Sequence, residues 1–77
     1  MKNVLIIKKE LFTDSCSFTL QDECDKCYNI TNCHLTTLLT TKGSESYQGS
    51  YVDENGTNHI VYIIIDNNRG FAKLDIS

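Results

Sequence analysis

Four cysteines, Cys16, Cys24, Cys27 and Cys33, fall within 18 residues of a 77-residue chain, spaced C-x7-C-x2-C-x5-C, with His34 directly behind the last. Thiolates are the ligands with which small domains most often hold a structural metal. A chain this short buries only about 60% of the surface it exposes when unfolded, so a staple adds needed stability. The spacing suits convergence on one ion. Cys24-x2-Cys27 makes a knuckle that puts two sulfurs on one side of a tight turn. Cys33 then stands at the entrance of an expected helix, where the helix dipole favours a thiolate. Cys16 returns from a neighbouring strand as the fourth ligand. The metal expected from four thiols in tetrahedral array is zinc.

The C-x2-C-x5-C segment also resembles the cluster-binding loops of endonuclease III-type glycosylases, from which it departs by one residue in the first gap. It is similar, too, to the cluster stretch of WhiB-like regulators. The resemblance covers about a quarter of the chain and implies a 4Fe–4S cluster on Cys16, Cys24, Cys27 and Cys33 as the alternative to zinc. Two disulfides, or unligated thiols in the core, complete the range of readings. His34 is a poor substitute ligand beside Cys33, because neighbouring side chains on a helix diverge by about 100°. His59 belongs to a strand and is expected at its surface. Cys24-x-x-Cys27 lies in a polar loop rather than at the start of a helix after a strand, which argues against thioredoxin-type chemistry. No orienting third group supports a Cys–His nucleophile, and no glycine-rich phosphate loop is present. The expectation is a protein without catalytic activity.

Composition narrows the class. A net charge of −3 and a pI near 5.1 leave no basic footprint for general nucleic-acid binding. Apolar content of 40% and charged content of 22% are ordinary for a globular domain. The longest apolar runs, residues 4–7 and 60–65, are far short of a membrane span, and the N-terminus lacks the pattern of a signal peptide. A cytoplasmic location is expected, where thiols bind metal more often than they form lasting disulfides.

Positioning these residues calls for a single domain, 1–77, of α+β class and β-dominated. Residues 1–12 contain an N-terminal strand, with Val4, Leu5, Ile6 and Ile7 buried on both faces. Phe18 and Leu20 alternate with polar residues, which makes 16–20 a second strand. Residues 22–32 read as a polar cysteine-rich loop. Leu35, Leu38 and Leu39 fall at helical spacing, capped by Thr31 or Asn32 and stopped by Gly43. A strand over 34–41 is the alternative, since four threonines lower helix propensity there. Residues 47–76 form a three-stranded antiparallel meander. Asn55-Gly56 marks a two-residue type I′ hairpin, pairing Tyr51 with Ile60 and Tyr47 with Ile64. A turn over 67–70 pairs Ile65 with Ala72 and Ile63 with Leu74. One face of the meander is then aliphatic, and the other carries Tyr47, Tyr51, Ile60, Tyr62, Ile64 and Phe71. No internal repeat stands out.

The first expectation for the tyrosine face is that the cysteine loop and its flanks lie over it. The sharper one is a partner-binding patch, since tyrosines are enriched at protein interfaces. The expected function is therefore a small, metal-stapled interaction protein that binds and modulates a larger protein, as a regulator or an inhibitor of the kind carried by phages and mobile elements. Its partner surface is Tyr47, Tyr51 and Tyr62 with the acidic tip Asp53-Glu54. The alternative is an iron–sulfur redox sensor or transcriptional regulator built on the four cysteines.

Overall fold

The computed structural model describes residues 1–36, 44–66 and 70–76. It contains six strands: β1 (Lys2–Leu11), β2 (Cys16–Asp22), β3 (Cys27–Thr36), β4 (Ser44–Val52), β5 (Asn58–Asp66) and β6 (Phe71–Ile76). Each pairs antiparallel with the next in sequence, and β6 returns to β1, closing a barrel. The α+β expectation is overturned: the described residues are all-strand, with no helix among them. Nor is any of them in a helix long and apolar enough to cross a membrane.

Alternation explains most of the strands. Inward residues come from every strand: Val4, Phe18, Leu20, Tyr28, Ile30, Tyr47, Tyr51, Val61, Ile63, Ala72 and Leu74 are buried, with Cys16 and Cys33 among them. Small barrels of this kind fill their interior with side chains. The N-terminal strand is buried on one face only. Val4 points in, whereas Leu5 and Ile7 are 43% and 50% exposed.

Two corrections concern the middle of the chain. Residues 27–36, expected as part of a loop and the start of a helix, are strand β3. Thr31 pairs with Ser50 on β4 and Asn32 follows it within the strand, so neither caps a helix, and Leu35 lies opposite Tyr47. Tertiary pairing on both sides overrides the leucine spacing, and the threonines suit a strand. Leu38, Leu39 and Gly43 lie outside the described residues.

The meander is present as β4–β5–β6 but belongs to the closed barrel. The β5–β6 register is the expected one, Ile63 opposite Leu74 and Ile65 opposite Ala72. The β4–β5 register differs by one residue: Tyr51 faces His59, Gly49 faces Val61 and Tyr47 faces Ile63. The cause is the turn. Asn55-Gly56 is not a two-residue loop but part of a five-residue connection, 53–57. In it the Gly56 N–H donates to the Asp53 carbonyl and the Asp53 N–H to the Thr57 carbonyl. Gly56 takes φ 81°, the left-handed residue that closes a type I turn with a bulge. A slip of one residue exchanges the two faces of a strand. Tyr47 and Tyr51 therefore join the aliphatic core instead of standing on the opposite face.

Bulges shape the rest of the barrel. In β3 the pairing shifts by one residue between Thr31 and His34, where Asn32 adopts φ 53°. Tyr28 and Ile30 point inward, and without the extra residue Asn32 would follow them. The bulge delivers Cys33 to the interior instead. A second irregularity between Ile6 and Lys8 leaves Ile7 outside.

Candidate functional site

The structure divides the four cysteines into two pairs. Cys16 and Cys33 are direct cross-strand partners on β2 and β3, both buried in the barrel wall. The Cys16 thiol donates to the Cys33 carbonyl at 3.6 Å, and the Cys33 thiol lies 3.7 Å from the Ile30 carbonyl. Burial pushes the Cys33 thiol up to about 12, helped by the neighbouring Cys16, and burial raises Cys16 as well. These are thiols held neutral by their surroundings. Room for them comes from Gly49 on β4. A Cβ there would stand 2.7 Å from Cys33 Sγ, so the position takes glycine for close approach.

Cys24 and Cys27 are exposed at the other extreme, Cys24 on the turn joining β2 to β3 and Cys27 at the first residue of β3, opposite Gln21. His34 is exposed on β3. Among the described residues, no three of His, Cys, Asp and Glu gather in a group suited to a metal ion. The four thiols thus do not converge on one point, because strand pairing turns one pair inward and leaves the other at a tip.

That tip is ordered by Asp22. One carboxylate oxygen accepts from the Cys24 and Lys26 N–H groups at 2.8 and 3.0 Å. The other accepts from the Tyr28 hydroxyl at 2.8 Å. These bonds hold the Asp22 carboxyl below the usual range, the tyrosine first, then the backbone groups and Lys2. The β4–β5 tip repeats the design. Asp53 accepts from the Asn55 and Thr57 N–H groups, both at 2.9 Å, and its second oxygen meets His59 Nε2 at 2.8 Å. Its carboxyl is likewise lowered, the His59 contact first. The correspondence runs Asp22-Glu23 with Asp53-Glu54, left-handed Asp25 with Gly56, and Tyr28 with His59. A Lys26–Glu54 ion pair of 3.0 Å ties the two tips together. The repeated Asp-Glu dipeptide, 31 residues apart, was the legible signal of this duplicated hairpin.

Lysines finish both ends of the barrel. At the tip end Lys2 Nζ donates to the Tyr28 hydroxyl at 3.1 Å and lies over its ring. At the opposite end Lys9 Nζ lies 5.5 and 5.4 Å from the ring centres of Phe18 and Tyr47. Such lysines lay apolar stems along the core and keep their charge at the surface.

Of the expected partner-binding residues, Tyr47 and Tyr51 are 6% and 8% exposed, packed against Phe18 and Tyr28 in the core. They cannot form a contact surface, and the register is the reason. Asp53 is committed to its turn. Glu54 and the half-buried Tyr62 remain outside.

The outer face has its own apolar band. On β5, Ile60, Tyr62 and Ile64 point outward, opposite in sense to Val61 and Ile63. Ile64 pairs with Lys73, two residues from Phe71, and Phe71 pairs with Leu5 on β1. Ile60, Phe71 and Leu5 are large apolar side chains open to solvent. Beside Leu5 and Phe71 lies an open groove of about 370 Å³, whose rim carries Asp22, Glu23 and Asp25. No protein-family model, curated protein or solved structure matches this chain.

Proposed function

We propose that this protein is a non-enzymatic binding module that modulates a larger protein through the outer face of β5, β6 and β1. The observation that carries the reading is the set of outward apolar side chains, Ile60, Tyr62 and Ile64 on β5 and the paired Phe71 and Leu5 on β6 and β1, on a barrel whose interior is already filled. Apolar patches of this kind mark contact sites on small proteins. The acidic rim of the adjoining groove selects the partner's chemistry: an apolar side chain followed by basic ones. Closure pairs β1 with β6, so recognition works through side chains and not by adding a strand to that edge. The four cysteines are free thiols, the state that a reducing cytosol maintains, and we place the protein there.

The test starts from a partner captured on the full chain, then purified and titrated against it. Phe71→Glu and Leu5→Glu should each weaken that binding by about tenfold or more, the scale expected when a central anchor of an interface is removed. Asn29→Glu, on the far side of the barrel, should leave affinity unchanged, and all three variants should melt cooperatively near the parent. Affinity indifferent to both band substitutions would refute the surface.

A further inference from the structure

The exposed pair Cys24 and Cys27 has no ligand role within its own barrel. Two thiolates fill half of zinc's tetrahedral shell, and no third His, Cys, Asp or Glu joins them among the described residues. Cys16 and Cys33 are buried in the wall. His59, at the neighbouring tip, is engaged with Asp53 at 2.8 Å. We propose that Cys24 and Cys27 form half of an intermolecular zinc site, completed by the same two cysteines of a second copy of the chain.

Three features favour this arrangement. The C-x2-C spacing is the one that knuckles use to offer two sulfurs to one ion. The turn that carries Cys24 is held by Asp22, through bonds to the N–H groups of Cys24 and Lys26, and by the Lys26–Glu54 ion pair, and Cys27 is held by its pairing with Gln21. Little ordering entropy then remains to oppose binding. Cys24 in the turn and Cys27 at the first pair of the β2–β3 ladder are both exposed at this end of the barrel, so two copies can meet end to end without strand rearrangement. Assembly is proton-coupled: four thiols release four protons to the solvent as their sulfurs bind one Zn²⁺, leaving a centre of charge −2.

The experiment uses the full chain, reduced with a phosphine and freed of metal, titrated with zinc chloride while mass is followed by sedimentation equilibrium. The 8.7 kDa species should double in mass, reaching completion at half an equivalent of zinc per chain, and should revert with chelator. Cobalt in place of zinc should give the visible ligand-field and sulfur charge-transfer bands of a tetrahedral four-thiolate site. Cys24→Ser and Cys27→Ser, at exposed positions, should keep the far-ultraviolet circular dichroism of the parent and remain monomeric with zinc. Cys16→Ala should still dimerise. Zinc bound one per chain without a change of mass would overturn the proposal. So would no zinc binding by the reduced chain, or dimerisation that survives in Cys24→Ser.

Discussion

Gly49 lies in the middle of β4, where glycine normally weakens a strand, and its role here is spatial. Replacing it by alanine places a methyl group 2.7 Å from Cys33 Sγ, 2.8 Å from Ile30 Cγ2 and 3.0 Å from the Thr31 carbonyl oxygen. Unstrained carbon contacts need about 3.5–4.0 Å. Ile30 and Cys33 are fully buried, and Thr31 O is backbone next to the Asn32 bulge, so none of the three can swing clear. Overpacking of this kind costs about 1–3 kcal/mol. The stiffer unfolded chain of an alanine variant returns about 0.4–1 kcal/mol, leaving a net loss of about 1.3 kcal/mol at the centres of the two ranges. With a urea m-value of about 1 kcal/mol/M for a small domain, the midpoint should fall by about 1.3 M. The assay is equilibrium urea unfolding followed by tyrosine fluorescence and circular dichroism. In a Cys33→Ala background the nearest clash is gone, so Gly49→Ala should cost less there, with a coupling of about 0.5–1 kcal/mol. Gly49→Ala as stable as the parent would refute both the β4–β5 register and the packing of Cys33 beneath it.

Three further outcomes follow from the divided thiols and the paired turns. In the native, reduced, metal-free protein Cys24 and Cys27 should react rapidly with a thiol reagent at pH 8, and Cys16 and Cys33 only on unfolding; four equal rates would contradict the barrel. Because Cys33 titrates at about 12 when folded, against 9.0 as its ordinary value, its contribution to stability is whole below pH 9 and is lost as pH rises toward 12. Urea midpoints measured across that window should fall, and should fall less in Cys33→Ala. The Asp53 carboxyl is lowered from its ordinary 3.8, so its contribution is present above about pH 4 and disappears as pH drops through the folded value. Asp53→Asn should lower Tm at neutral pH and flatten the acid limb of the Tm–pH curve. An unchanged acid limb would show that the carboxylate does not hold its turn.

Features that depend on local alternation are readable from the residues alone. Phe18 and Leu20 announce β2, and residues 60–65 announce a central strand with Val61 and Ile63 inward. The pairing of Ile63 with Leu74 follows from that pattern. A polar turn between Asp22 and Cys27 is legible in its composition, although the expected loop runs on to residue 32, where the chain is already strand β3. Features that depend on counting single residues across a turn or bulge emerge only in the folded chain. Asp53 accepting two backbone N–H groups lengthens the connection that Asn55-Gly56 suggests, and that one residue carries Tyr47 and Tyr51 from the surface into the core. Asn32 adds one residue to β3, and with it Cys33 turns inward, away from Cys24 and Cys27. Side-chain direction in a strand has period two, so each inserted residue inverts everything beyond it. Closure of β6 onto β1 joins the two ends of the chain, and no local pattern encodes it. It is settled by whether six twisted strands leave an interior that Tyr28, Phe18, Leu20 and Ile30 can fill.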